Sequence, residues 1–152
     1  MKKLNKEIGK KGEDLACQHL REKGYEIVER NWGSKWGEVD IIAKISLRQS
    51  PCLSKADAFS AHKMKQKRGL LAKASGLLEK GDVFVFVEVK TKVGEDWGMP
   101  EEMINNKKLA QVQRMAETYE PARNHQSRVD VVAVVLNEDL SIKRLNHYEC
   151  VY

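Results

Sequence analysis

The sequence predicts an α/β protein: a mixed β-sheet with helices packed on its faces. Three observations carry this. Helix-like and strand-like segments run in the order helix, three strands, helix, strand, strand. Two of the strand-like segments, VFVFVEV at 83–89 and VDVVAVVL at 129–136, are almost continuously apolar, as strands covered on both faces are. A long helical segment lies between those two, which suits a parallel crossover.

Each element has its own signal. In residues 4–23, LNKEIGKKGEDLACQHLREK, the apolar positions Leu4, Ile8, Leu15, Ala16 and Leu20 recur at helical spacing. Gly24 follows as a C-terminal stop. Gly9 and Gly12 inside this helix each cost about 1 kcal/mol against alanine, a cost with a purpose if another segment approaches the helix backbone there. YEIVERNW (25–32) alternates as a half-buried strand, GSKWG (33–37) is a turn, and EVDIIAKI (38–45) is the second strand. GDVFVFVEVKTK (81–92) is the third. EEMINNKKLAQVQRMAETY (101–119) reads as the second long helix, with Pro100 just before it. RVDVVAVVL (128–136) and SIKRLNHYECV (141–151) are the last two strands.

The chain has 152 residues, 41% of them apolar, which suits a single domain spanning 1–152 with one core. No run reaches the ~20 apolar residues of a membrane span, and the basic start lacks the apolar stretch of a secretory signal. The expectation is a cytoplasmic protein with no membrane partner. Cys17, Cys52 and Cys150 are too widely spaced for a zinc site, and the sequence predicts no disulfide framework. His19, His62, His125 and His147 are scattered and read as ordinary surface or helix histidines, which argues against zinc and against histidine-based nucleophilic chemistry.

The net charge of +5 is unevenly placed. Residues 44–80 hold nine Lys/Arg and two Asp/Glu, so the excess is local. Most of that stretch is an insert, about 46–80, between two strands that a short turn would join. Its second half, 56–79, has the pattern of a basic amphipathic helix, with Phe59, Met64, Leu70 and Leu71 on an interrupted apolar stripe. Two readings stand: a solvated surface excursion, or an arm whose Lys63, Lys65, Lys67 and Arg68 grip the phosphates of a nucleic acid.

The chemistry concentrates at two strand ends. Side chains alternate along a strand, so Phe84, Phe86, Glu88 and Lys90 share one face while Val85, Val87 and Val89 cover the other. Glu88 therefore ends an apolar face, where an uncompensated carboxylate costs several kcal/mol. One resolution is mutual neutralisation with Lys90 at a wet strand end. The second strand offers another. GEVDIIA (37–43) sets Asp40 before its own apolar triplet, with Glu38 on the same face. If the two strands are neighbours, Asp40 and Glu88 meet at one rim of the sheet. Two carboxylates ~4 Å apart repel by roughly 4 kcal/mol at an effective dielectric of 20, so the pair calls for a cation or a shared proton. Hard carboxylate oxygens without His or Cys point to Mg²⁺ or Mn²⁺.

An Asp on one strand followed by Glu-x-Lys on a later one resembles the PD-(D/E)xK nuclease signature. The blocks GKKGEDLACQHLREKGYEIVERNW, GEVDIIA, VFVEVKTK, WGMPEE followed by KK, and RVDVVAVV stand in the order found in the YraN/UPF0102 family. The resemblance covers about 110 of the 152 residues and omits the insert, which lies where family members usually have a short turn. It implies a restriction-endonuclease-like α-β-β-β-α-β core, similar to that of Holliday junction resolvases. It further implies that Asp40 and Glu88, with the Val89 carbonyl, hold one divalent metal, and that Lys90 orients the attacking water or offsets phosphate charge. Glu13 matches the first-helix acid that completes the metal shell, and Lys108, or its neighbour Lys107, matches a helix lysine that contacts phosphate. Arg128 and Asp130 read as strand-end structure. Spacing does not support Gln111 and Tyr119 as substrate groups. Trp32, Trp36 and Trp97, in turns near glycines, read first as loop packing and second as platforms for unpaired bases.

The expected function is metal-dependent hydrolysis of DNA phosphodiester bonds, at branched or other non-standard DNA. Two alternatives come from the insert: a nucleic-acid binder that does not cut, and an interaction module whose arm docks a partner or a second copy of the chain to give a homodimer.

Overall fold

The computed structural model describes residues 2–50, 81–94, 102 and 105–151. The insert positions Lys63, Lys65, Lys67 and Arg68, and Trp97 with them, lie outside the described residues.

Helix α1 spans Lys2–Glu22. Strands β1 (Glu26–Ser34), β2 (Gly37–Ser46) and β3 (Asp82–Val93) follow, then α2 (Asn106–Thr118), β4 (Gln126–Leu136) and β5 (Ile142–Tyr148). The five strands form one sheet in the order β1-β2-β3-β4-β5. Every neighbouring pair is antiparallel except β3 and β4, which run parallel across the α2 crossover. The fold is α/β with a mixed sheet, and its first six elements give the α-β-β-β-α-β order.

The two helices cover opposite faces. Ala16, Cys17 and Leu20 of α1 pack on Ile41, Ala43, Val83, Val85, Val87, Val132 and Val134. Val112, Met115 and Ala116 of α2 pack on Ile42, Phe84, Phe86 and Val129. The alternation along 83–89 thus divides as the sequence predicts: valines toward α1, phenylalanines toward α2. Leu4 departs from the predicted stripe. It is 53% exposed, because α1 begins beyond the edge of the core.

Gly12 explains its own presence. A Cβ there would stand 1.7 Å from Thr91 Oγ1, so α1 lies against β3 more closely than any side chain permits. Gly9 has nothing within 4 Å of such a Cβ, so the close approach belongs to Gly12 alone.

Helix α2 starts at Asn106, not near 101. Asn105 is its N-cap, and the Asn105 side-chain oxygen accepts a hydrogen bond from the Lys108 N–H at 2.9 Å. This cap orients the first turn of α2 and with it Lys108. Cys17 is free and buried in the core. No described helix is long and apolar enough to cross a membrane.

Candidate active site

Strand pairing brings the two acids together. The β2–β3 register runs Ile42 with Phe86 and Ile41 with Val87, so Asp40 and Glu88 are the next positions on each strand. There the backbone ladder gives way to a side-chain contact: the Val89 N–H donates to Asp40 Oδ2 at 2.7 Å. A strand N–H left open by its departing neighbour is thus satisfied by a carboxylate.

Glu88 is 1% exposed. It is no wet strand end, and mutual neutralisation with Lys90 is only part of how it is accommodated. Lys90 Nζ donates to Glu88 Oε1 at 2.6 Å, and Lys108 Nζ, reaching across from α2, lies 3.4 Å from Oε2. Oε2 nonetheless accepts no hydrogen bond of good geometry among the described residues. The family resemblance implied phosphate contact for Lys108; its ion pair with Glu88 appears only when α2 is docked.

Asp40 is half-buried, and its carboxyl is pushed up to about 7. Burial is the largest cause and the Glu88 charge the second; the Val89 N–H and Lys90 pull the other way. Near neutral pH, Asp40 is poised to hold or release a proton.

Glu13 sits on α1 with its carboxylate engaged elsewhere. Its Oε2 accepts from Asn31 Nδ2 at 3.1 Å and from Arg30 at 3.3 Å. Asn31 has φ 51, a left-handed conformation that asparagine tolerates better than most residues. Glu13 still contributes to the raised pKa of Asp40. Glu38 is exposed. Among the described residues no group of three or more His, Cys, Asp or Glu gathers as a set of metal ligands. The acidic centre is therefore a pair, Asp40 and Glu88, ringed by Lys90 and Lys108, with Lys107 exposed nearby on α2.

Other candidates have structural work. Tyr119 is buried, and its hydroxyl donates to Glu29 at 3.1 Å. Trp32 packs edge-on against Tyr119, with ring centroids 5.1 Å apart. Gln111 donates its amide to the Trp36 carbonyl, tying the β1–β2 turn to α2. Trp36 itself is 47% exposed.

A second polar cluster lies on the α1 face. Arg128 and Asp130 are buried there and form an ion pair at 3.0 Å. Arg128 also donates to Ser50, Tyr25 and Glu149. Asp130 Oδ2 meets His147 Nε2 at 2.9 Å, and Asp130 Oδ1 accepts the Cys150 N–H at 2.9 Å. His147 is accordingly a buried network member with 2% side-chain exposure, not a surface residue. Burial pushes the Tyr25 hydroxyl pKa strongly upward. One sequence signal marks this cluster, two charges in the otherwise apolar 128–136 run; its partners come from three separate segments, at Tyr25, at Ser50 and at 147–150.

The five-stranded mixed sheet, the α-β-β-β-α-β order and the Asp/Glu/Lys rim define an α/β protein with a charged site at one end of its sheet. Comparison with known proteins then fixes the family. Residues 12–134 match the model of the uncharacterised protein family UPF0102. A UPF0102 protein of Caldanaerobacter subterraneus is 32% identical over 97% of this chain and 96% of its own length. One from Rhodococcus jostii is 35% identical over 87% and 85%, and one from Dictyoglomus turgidum 31% over 88% and 86%. The chain belongs to the UPF0102 family.

Proposed function

We propose that this protein is a metal-dependent nuclease of the cytoplasm that hydrolyses DNA phosphodiester bonds, with Asp40, Glu88 and Lys90 as its working groups. The observation that carries the reading is the convergence of Asp40 and Glu88 at one strand rim, close enough for the Glu88 charge to raise the Asp40 pKa. The rim fits Mg²⁺ or Mn²⁺ on two counts. Its donors are hard oxygens, and Glu88 Oε2 is buried without a hydrogen bond among the described residues.

Asp40 and Glu88, with the Val89 carbonyl, are the residues that would hold the ion. When bound, a dication supplies an acidified water and offsets charge on the scissile phosphate. The chain's own groups set the conditions. Asp40 gives up the proton that burial and Glu88 keep on it. Lys90, fixed by its bond to Glu88, orients the attacking water or offsets charge on the phosphate oxygens. Lys108 balances the second Glu88 oxygen, and Lys107 is available to a neighbouring phosphate. Glu13, bound to Arg30 and Asn31, would reach the ion only through water.

The test offers purified protein with Mg²⁺ or Mn²⁺ to duplex, single-stranded, flap and four-way DNA. Cleavage of at least one is expected, abolished by chelator and reduced about 100-fold or more by Asp40→Asn and by Lys90→Met. Failure to cut any of the four, or cutting indifferent to Asp40→Asn, refutes the reading.

A further inference from the structure

The exposed face of α2 forms a small groove beside the acidic rim. Lys107, Ala110, Gln111 and Arg114 recur at i, i+3, i+4 and i+7, one stripe of the helix. The adjoining residues Val112, Met115 and Ala116 face the core, and Lys108 points to Glu88. Across the stripe stands Trp36, at the β1–β2 turn, and these five residues enclose about 270 Å³. That is slightly less than a drug-sized pocket holds, so the groove admits one small, flat group.

Three features specify the group. The first is Trp36, a large aromatic ring left 47% exposed, whereas Trp32, four residues earlier on β1, is packed against Tyr119. Lys35 Nζ sits over one face of the Trp36 ring, 5.0 Å from its centroid, and a ring has two faces. The second is position. The Gln111 amide donates to the Trp36 carbonyl, and a Cβ on Gly37 would stand 1.9 Å from that amide nitrogen. Gly37, at φ 141, takes a left-handed backbone conformation that favours glycine, and the Gln111 bond to Trp36 ties this turn to α2 and holds the ring at the groove. The third is charge: both ionisable side chains lining the groove, Lys107 and Arg114, are cations on exposed positions.

We propose that this groove is a subsite for one unpaired nucleotide of a nucleic-acid strand, its base stacked on Trp36 and its flanking phosphates met by Lys107 and Arg114. Stacking on an aromatic ring is tolerant of base identity but requires that the base be out of a duplex. The proposal deepens the nuclease reading and takes from it the choice of a polynucleotide over other anions. The site then selects substrates with an unpaired nucleotide next to the cut, and a fully paired duplex leaves the groove unused.

The test measures binding in chelator, where no cleavage occurs, with oligo(dT), oligo(U) and a blunt duplex of equal length as probes. Trp36→Ala should weaken oligo(dT) binding about tenfold, while Trp36→Phe keeps affinity within about threefold because a ring remains. Oligo(dT) should quench tryptophan fluorescence in the native protein, and that quenching should disappear in Trp36→Phe. Lys107→Ala and Arg114→Ala should each lower the log–log salt slope on the single strand by about 0.7; Arg123→Ala, an exposed charge paired with Glu120 away from the groove, should not. A larger Trp36→Ala loss on oligo(U) than on oligo(dT) assigns the subsite to RNA, and the reverse assigns it to DNA. Unchanged oligonucleotide affinity in Trp36→Ala, or an equal loss on blunt duplex, overturns the proposal and leaves the groove to a protein partner. The two readings fail separately. Trp36-dependent binding without metal-dependent cleavage keeps the subsite and removes the nuclease; Asp40-dependent cleavage with Trp36-independent binding does the reverse.

Discussion

Asp40→Asn should make the metal-free protein more stable at alkaline pH, and by an amount set by the geometry of the rim. Asparagine keeps an oxygen that can accept the Val89 N–H, now 2.7 Å from Asp40 Oδ2, but it carries no charge toward Glu88. A carboxyl moved from its ordinary 3.8 to about 7 holds a proton in the folded state that the unfolded chain has lost. Between those two pH values the folded state binds more protons, so its stability falls as pH rises. The stabilisation is complete below about pH 4 and gone above about pH 8. The full shift corresponds to roughly 4 kcal/mol; partial exposure of Asp40 and relaxation of Lys90 reduce this to about 2–4 kcal/mol. Urea unfolding in chelator at pH 4.5, 6, 7 and 8.5 measures it. The gap between Asp40→Asn and the native protein should open across this range and level off near pH 8. Mn²⁺ at pH 8.5 should stabilise the native protein and leave Asp40→Asn unmoved. Parallel pH profiles for the two proteins refute the argument, since Asp40 then carries no excess proton and the two acids do not interact.

Other substitutions probe the scaffold around the rim. Gly12→Ala should cost about 1–3 kcal/mol in urea unfolding, because the new methyl collides with Thr91 on β3; Gly9→Ala, with open space, should gain up to about 1 kcal/mol. Equal effects at the two sites contradict the close approach of α1 to β3. Asn105→Ala should cost about 1 kcal/mol by removing the cap that accepts the Lys108 N–H, and Asn105→Asp should restore it. Arg128→Met should lower stability by about 3–5 kcal/mol, since Asp130 is fully buried and loses its ion-pair partner; the urea midpoint reports this, and a loss below about 1 kcal/mol shows that the cluster is not sealed from water.

Much of the fold was legible because its signals are local. The period-2 alternation at 83–89 assigned the valines and phenylalanines to opposite faces, and both helices cover them as expected. Strand boundaries moved by only a few residues. The start of α2 moved further: the Asn105 cap sets its first residue at Asn106, and positions 101, 103 and 104 lie outside the described residues. Nothing local marked Leu4 as exposed, since that depends on where the sheet ends beneath α1.

The sequence by itself determined which residues carry charge at the ends of apolar strands, and hence that Asp40, Glu88 and Lys90 have chemistry to explain. Side-chain alternation is a property of the extended backbone and needs no partner to be read. The tertiary structure alone decided what those charges meet. It set Lys108 against Glu88, turned Glu13 toward Arg30 and Asn31, gathered Tyr25, Ser50, His147 and Glu149 around Arg128 and Asp130, and left Trp36 facing a cationic stripe of α2. Those contacts join segments up to more than 100 residues apart, and the docking of whole helices and strands fixes which distant side chains meet.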